Sequence, residues 1–399
     1  MSYTNSIILG KSENGKLHKA EGYQHILLLA PNGSGKGVSF VLPTLLNLDE
    51  SCIVHDIKLE NYQLTSGYRA RIGHKIFVFN PLGNNTHRYN PLDFISQDTK
   101  QRINDLQKIA DLLIEGNEAS KILFVGLALY LYAFNTKKTI GEISKLINRN
   151  LEQELSGGLK KLDASKNKEC AQILNGFLSQ APDTKKEAID HLRASLYLWT
   201  NPLVDYATSE SDFDIASLKN SKTTIYVGLN PTDIERLKPL MRLFYNYAFE
   251  KLVETAESLG QGKENGGVTI ILDEFCTIGK LEKYAFAYLR GYKVRLFAIS
   301  SDVLQIEALY GKEEASSVIS DCNFKVFFAA NDHKTAEYIS SLCIDTNEGK
   351  KLFSWQQIMT LPRDSQIVLL DKEQPVTLKK INYFDEKELK SRITDPMET

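Results

Sequence analysis

No uninterrupted apolar run in this chain approaches the roughly 20 residues that a membrane-crossing helix needs. The longest candidate, Ile122 to Phe134, is too short and is broken by Gly126, so it reads as a buried helix. The opening stretch from Met1 to Glu21 is polar and carries no signal-peptide pattern. Cysteine is scarce. Cys52, Cys170, Cys276, Cys322 and Cys343 are odd in number and include no C-x-x-C pair. That excludes a disulfide framework and a thiolate zinc site, and fits a reduced, cytoplasmic compartment. The seven histidines show no metal-ligand spacing. Charge of one sign is not in excess either: the formal net charge is -2, so the chain as a whole is not marked as a polyanion binder. Internal repeats and low-complexity segments are also lacking, which argues against a solenoid.

What is present is ordinary globular material: 399 residues, 42% hydrophobic and 25% charged, enough for two domains or for one large domain with an insertion. Eight short runs are almost continuously apolar. They are His25–Ala30, Cys52–Asp56, Lys75–Asn80, Thr223–Gly228, Val268–Leu272, Val294–Ser300, Lys325–Ala330 and Gln366–Leu370. Continuous rather than alternating runs suit parallel strands buried on both faces. Helical stretches at Gly35–Leu48, Pro239–Leu259, Val303–Tyr310 and Thr335–Leu342 follow several of them. This alternation predicts an open α/β sheet, mainly parallel, with helices on both faces.

The region from Ser96 to Asp205 breaks the pattern. It holds no convincing strand, only helix-forming segments at Arg102–Glu115, Ala119–Phe134, Ile140–Gly157, Ala171–Leu178 and Lys185–Leu198. The expected organisation is therefore a nucleotide-binding domain in two parts, 1–95 and 206–383. An all-α domain at 96–205 would be inserted between them, and a charged tail at 384–399 would follow.

One strand-to-helix junction carries chemistry. The first apolar run leads into Asn32-Gly33-Ser34-Gly35-Lys36-Gly37-Val38 and then a helix. A glycine-rich turn at a helix N-terminus can curl successive backbone N–H groups around phosphates. The helix dipole adds to this, and Lys36 would reach the β- and γ-oxygens of ATP. Two positions depart from the usual pattern. Ala30 stands where Gly is expected, and Gly37 stands where Ser or Thr would contact Mg2+. Without that hydroxyl the metal relies on other ligands and water.

The run Val268–Leu272 ends in Asp273-Glu274. Acids at the carboxyl end of a buried strand match a Walker B pattern. Asp273 would hold Mg2+ through water, and Glu274 would orient and activate the attacking water. The long chain between Lys36 and Asp273 exceeds what neighbouring strands need, and the helical insertion accounts for the excess. Asp56 and Lys58 follow the second run, near the expected ligand edge. They read either as support for the metal and water or as local surface pairing. Tyr89-Asn90-Pro91 reads as a turn entering the insertion, and Tyr130, Tyr132 and Phe134 read as helix packing.

Beyond these motifs, the chain resembles the TraG/TraD-type coupling proteins of type IV secretion and conjugation. The resemblance runs in order through APNGSGKGVSFVLPTLL, HDIKLENYQLTSGYRA, FNPLGNNTHRYNPLDFIS, NPLVDYATSESDFDIASLKNSKTTIYVGL, ILDEFCTIGKLEKY, LRGYKVRLFAIS and LYGKEEASSVISDCNFKVFFAANDHKTAEYIS, covering roughly Ile26 to Leu370. It implies a RecA-like ATPase core with an inserted all-α domain that uses ATP and Mg2+, and it makes Gly37 a variant within a functional loop. It also implies a hexameric ring at the cytoplasmic face of a bacterial inner membrane. Such a ring would work with secretion-channel components and recruit relaxase–DNA complexes, effector proteins or DNA. Members of the family usually begin with a membrane anchor, whereas here the first strand lies near the start. Ser301-Asp302 stands where the family has Gln-Ser, a Gln that senses the γ-phosphate; Ser301 is shorter, and sensing would pass through water or another residue. Gln305, a turn later, reads as surface or packing. A ring ATPase needs an arginine donated by a neighbour, and Arg236, Arg242, Arg290 and Arg295 are the candidates. The rival reading is a nucleotide-binding recruitment adaptor with little turnover, favoured by Gly37 and Ser301. A plain DNA helicase ranks below both, because no helicase motif series is present.

Overall fold

A computed structural model describes residues 6–259, 266–345, 348–370 and 373–396. The two ends of the expected division, 1–5 and 397–399, lie outside them. The chain forms two compact units. One comprises 1–78, 214–234 and 248–399; the other comprises 79–213 and 235–247.

The first unit is built on a sheet of 11 strands. They are β1 (Ile7–Lys11), β2 (Leu17–Ala20), β3 (Ile26–Leu29), β4 (Ser51–Ile57), β5 (Lys75–Phe79), β6 (Thr223–Leu229), β7 (Val268–Leu272), β8 (Val294–Ser300), β9 (Phe324–Phe327), β10 (Ser365–Leu369) and β11 (Val376–Lys379). Their order across the sheet is β2-β1-β11-β10-β9-β3-β8-β7-β4-β6-β5. The block β9-β3-β8-β7-β4-β6 is parallel throughout. Its strands are buried on both faces, β3, β6, β7 and β8 along their whole length, as continuous apolar runs require. All eight predicted strands are present.

Three features of this sheet depart from the sequence reading. β10 runs antiparallel to β9, not parallel. β11 and the β1–β2 hairpin extend the sheet beyond it, again antiparallel. The hairpin sits in the stretch read as merely polar. Its signal was Asn14-Gly15, a dipeptide that favours tight hairpin turns. Gly15 takes φ +84° and closes the loop with its N–H on the Ser12 carbonyl at 2.9 Å.

The chain after Tyr383 is not a free tail. Its turn Lys387–Lys390 buries Leu389 in a small cluster with Ile8, Leu46, Tyr68 and Ile381. Arg392 donates to the Leu46 carbonyl at 2.7 Å and lies over the Tyr68 ring. A run of charges hid these two anchoring residues.

The second unit is helical, with α-helices at Thr99–Leu113, Glu118–Ala133, Ile140–Ile147, Leu151–Lys161, Lys168–Leu178, Pro182–Ser195 and Pro202–Ala207. The stretch read as one helix, Ile140–Gly157, is two. Asn150 accepts from the Gln153 N–H and caps a new start, as Asn does at helix N-termini. The helix Ile234–Leu259 lends residues 235–247 to this unit. There Phe244 meets Phe79 and Tyr89, and Tyr89 stacks on Phe213 at 5.2 Å. These contacts make the unit wider than the 96–205 of the sequence reading. Tyr89-Asn90-Pro91 does enter it through a turn, Pro91–Phe94, capped by Asn90. Tyr130 packs on Phe134, and Tyr132 donates to the Leu92 carbonyl at 2.8 Å, as packing residues should.

Three histidines are buried in the first unit. Burial pulls His25 down to about 4 and His55 and His74 to about 3. His25 accepts from the Leu296 N–H through Nδ1 at 3.0 Å, a bond only the unprotonated nitrogen makes. The unfolded chain takes up a proton near pH 6.5 that the folded chain refuses, so this stability is complete above 6.5 and lost as pH falls. His25→Gln retains an acceptor but cannot titrate. Between pH 6 and 5, its unfolding free energy should decline less steeply than the parent's, by about 1 kcal/mol. Denaturant unfolding at the two pH values checks this, and equal slopes would refute it.

Candidate functional site

The parallel register puts the loops after β3, β8 and β7 at one sheet edge. Leu29 pairs with Ser300, and Leu272 with Ala298. β8 thus stands between the strand that enters the phosphate loop and the strand that ends in the two acids. The residues just beyond these strand ends converge. Lys36 Nζ is 2.9 Å from Asp273 Oδ1 and is also hydrogen-bonded to Glu274. Ser301 Oγ donates to the other Glu274 oxygen at 3.4 Å. The structure therefore brings together four of the residues singled out in sequence: Lys36, Asp273, Glu274 and Ser301. Burial works against the Lys36 ammonium, but the Asp273 and Glu274 carboxylates outweigh it and raise its pKa.

The loop itself has an unusual backbone. Gly33 and Gly35 take φ +75° and +87°, which residues with side chains rarely adopt. A Cβ on Gly33 or on Gly37 would meet no atom within 4 Å, so both face open space. Past Lys36 the chain does not enter an ordinary helix at once. Gly37–Val41 forms a π-turn and Leu42–Asn47 the α-helix proper, where one continuous helix from Gly35 was expected. Asn32 stands before the two loop glycines, Val38 lies inside this turn, and Ser34 keeps a buried hydroxyl oxygen with no partner among the described residues.

The acidic edge is strained. Glu274 is left-handed, φ +54° and ψ +48°, and its carbonyl accepts from both the Thr277 N–H and hydroxyl, at 2.8 and 2.7 Å. Lys58 and Leu59, at the end of β4, are left-handed as well. Such conformations cost roughly 1–3 kcal/mol each and gather where a fold positions functional groups.

Asp56 has a different occupation. Its carboxylate accepts from the Asn61 N–H at 3.1 Å, the Asn61 side-chain amide at 2.9 Å and the Tyr62 N–H at 2.7 Å. It caps the helix Glu60–Arg71, whose own cap residue Leu59 offers no side-chain acceptor. Burial pushes its carboxyl up to about 7 against these bonds, with Asp273 adding to the rise. Of the arginines, Arg295 is buried near the start of β8, paired with Glu50 at 3.7 Å and bonded to the Gly22 carbonyl. It lies at the opposite end of the strand from Ser301, so it is excluded as an arginine donated to a neighbour. Arg242 pairs with Glu115, and Arg290 donates to Asn323 at 2.9 Å. Arg236 is exposed on the helix Ile234–Leu259. Gln305 lies 3.5 Å from the Ser300 hydroxyl and packs at the end of β8.

Both absent groups fit. The orphaned Ser34 hydroxyl and the open space before Gly33 and Gly37 suit a polyphosphate. Asp273 and Glu274 are hard oxygen donors of the kind Mg2+ takes alongside phosphates and waters. Among the described residues no cluster of three or more acidic, histidine or cysteine side chains forms a metal cage. The sequence reading missed Lys380, whose Nζ reaches the Ser34 carbonyl from 346 positions away; no local motif announces it.

A RecA-like α/β core carrying a phosphate loop opposite a paired acidic strand end defines the class. The chain belongs to the type IV secretory system conjugative DNA transfer family, whose model matches residues 4–346 and 344–399. It is 31% identical to protein VirD4 of Rhizobium radiobacter, over 92% of this chain and 58% of that protein. It is 27% identical to the conjugal transfer protein TraG of Escherichia coli, over 90% of this chain and 60% of that one. The chain thus spans less than two thirds of these relatives' length. Its fold is that of the bacterial conjugative coupling protein TrwB. The unbound form superposes with a TM-score of 0.73 at 15% identity, covering 96% of this chain and 89% of that one. The form bound to a non-hydrolysable ATP analogue gives 0.70 at 15% identity, covering 96% and 95%. Among the described residues no helix is long and apolar enough to cross a membrane.

Asp56→Ala would leave three donors of the Glu60–Arg71 helix start unpaired. It should lower unfolding stability by about 2–4 kcal/mol. A parent-like denaturation midpoint with lost ATP turnover would instead make Asp56 a site residue.

Proposed function

We propose that the chain is the ATPase core of a type IV secretion coupling protein, binding ATP with Mg2+ and turning it over to deliver cargo to a secretion channel. The observation that carries this reading is the convergence of Lys36, Asp273 and Glu274 beside a loop whose glycines face open space. In this arrangement Lys36 spans the two carboxylates, and its charge is the one that a nucleotide's β- and γ-phosphates would take over. Transfer of the ammonium from carboxylate to phosphate releases Glu274. Its side chain then orients a water and accepts its proton. Asp273 is left to hold Mg2+ through water, and the metal, when bound, neutralises charge on the phosphate oxygens. Ser301, on the far oxygen of Glu274, steadies that carboxylate in place of a longer glutamine. Family membership, the VirD4 and TraG relatives and the nucleotide complexes of TrwB support the reading.

The same reading extends to assembly. Among the described residues no arginine reaches Lys36, Asp273 or Glu274, so completion of the site falls to a neighbouring subunit, in a ring that the family resemblance makes hexameric. Arg236, Arg242 and Arg290 remain as donors. The helical unit is the place for recognition of relaxase–DNA complexes or effector proteins, because the sheet unit is committed to nucleotide. The ring would work at the cytoplasmic face of the inner membrane. A second reading, an adaptor that binds nucleotide with little turnover, draws on Ser301 and Gly37.

Lys36→Ala should weaken ATP binding by about 2–3 kcal/mol, the loss expected for a charge-assisted contact. Glu274→Gln should bind ATP normally and hydrolyse it at least about 100-fold more slowly. Calorimetric titration and single-turnover hydrolysis measure the two effects. Normal hydrolysis by Glu274→Gln would make the acid structural only. Binding without turnover in the parent, with turnover gained in Ser301→Gln, would favour the adaptor.

The ATPase rate per subunit should also rise with protein concentration or on adding DNA. A rate that stays flat from dilute monomer to a ring confirmed by light scattering would refute completion of the site by a neighbour.

A further inference from the structure

The stretch that follows β11 meets the phosphate loop twice. Lys380 directs Nζ to the Ser34 carbonyl at 3.4 Å, and its ammonium lies over the Phe328 ring, 3.4 Å from the centroid. Three residues on, the Tyr383 N–H donates to the Val38 carbonyl at 3.1 Å. The second contact has a local cause. Because Gly37–Val41 winds as a π-turn, Leu42 donates to Gly37. The next donor in that pattern, to Val38, would be residue 43, which is proline and has no N–H. Val38 is thereby left with a carbonyl for an outside donor, and Tyr383 supplies it.

The first contact bears on phosphate binding. The Ser34 carbonyl and the Gly35 N–H belong to one planar trans peptide and point in opposite directions. A donor held on the carbonyl therefore turns the Gly35 N–H the other way, into the concave side of the loop. The peptides on either side are tied already: the Ser34 N–H donates to the Pro31 carbonyl at 3.1 Å, and the Gly35 carbonyl accepts from the Ser39 N–H at 3.0 Å and its hydroxyl at 2.7 Å, which leaves the peptide between them to Lys380. This peptide turns on ψ of Ser34 and φ of Gly35, and Gly35, at φ +87°, has no Cβ to resist the rotation. Among the described residues the Gly35 N–H donates to no backbone carbonyl, and the adjoining Ser34 hydroxyl oxygen is buried and unpartnered. Lys380 is kept here against burial, which pulls its pKa down to about 8 in spite of Asp364.

We propose that Lys380 is a positioning residue for nucleotide binding: its ammonium fixes the Ser34–Gly35 peptide so that the Gly35 N–H is presented to a phosphate oxygen. The charge on the carbonyl also polarises the peptide and makes that N–H a stronger donor. The antiparallel extension of the sheet thereby becomes part of the phosphate site. This inference rests on the nucleotide-site reading above.

The test uses the full chain and Mg2+ with ATP or ADP as the titrant. Lys380→Met keeps an apolar stem over Phe328 and removes the donor; Lys380→Arg restores a cation. Lys380→Met should weaken both nucleotides about tenfold, the low end for loss of a hydrogen bond to a charged group. Its thermal midpoint without nucleotide should match the parent's, and Lys380→Arg should recover most of the affinity. Hydrogen exchange of residues 31–38 should be slowed by ATP in the parent and less so in Lys380→Met. Parent-like affinity in Lys380→Met, with binding lost in Lys36→Ala, overturns the role of Lys380 and leaves the nucleotide site standing. Parent-like affinity in Lys36→Ala overturns the site itself. Should Lys380→Met unfold early, Lys380→Arg decides: normal stability with weak binding overturns the proposal, and normal stability with normal binding supports it.

Discussion

The parallel pairing of β3, β8 and β7 is the constraint on which the site depends. In a parallel block every strand delivers its carboxyl end to the same edge. Leu29 opposite Ser300, and Leu272 opposite Ala298, leave Ser301 and the Asp273-Glu274 pair within a residue of a common line, with the phosphate loop opening three residues past it at Asn32. The apolar runs that make these strands bury them on both faces, so a register slip would cost core packing as well as alignment. The site inherits its precision from the core.

Within that frame the chemistry is held in balance by one cation. Lys36 pairs with both Asp273 and Glu274 and offsets the repulsion between them, beside a loop whose Gly33 and Gly37 face open space. Taking a lysine and two carboxylates partly out of water is costly unless each is paired. The pairing compensates the buried charges while leaving the ammonium exchangeable. The left-handed backbone of Glu274, secured by Thr277, aims its carboxylate at Lys36 rather than along the strand. Asp56, read in the sequence either as support for the metal and water or as local surface pairing, accepts hydrogen bonds at the start of the Glu60–Arg71 helix. Its acidity is spent on three N–H donors of its own neighbourhood.

The antiparallel extension adds a layer that strand counting did not foresee. β10, β11 and the β1–β2 hairpin form the far side of the sheet, and the chain after β11 returns to the loop through Lys380 and Tyr383. The final turn reaches α-helical neighbours of that loop through Leu389 and Arg392. Local composition after Tyr383 is charged, and among the described residues there two side chains, Leu389 and Arg392, are buried, so docking of this stretch is a property of distant partners.

Sequence by itself determined the eight core strands, the helical character of the inserted region, the phosphate loop and the acidic strand end. These are written locally: in continuous apolar runs, in glycines next to a lysine, in asparagines and aspartates that cap helices. The family was legible for the same reason, as ordered motifs from Ile26 to Leu370. Tertiary structure alone decided the rest, because the deciding contacts join residues far apart in the chain. Arg295 and Arg242 look alike in sequence, yet one is buried at the base of a strand and the other is paired on a helix surface. The π-turn after Lys36 arises from how the loop enters its helix, and Lys380 finds Ser34 only once β9, β10 and β11 have paired. Direction of a strand such as β10 is likewise set by its neighbours, since an apolar run buried on both faces reads the same in either direction.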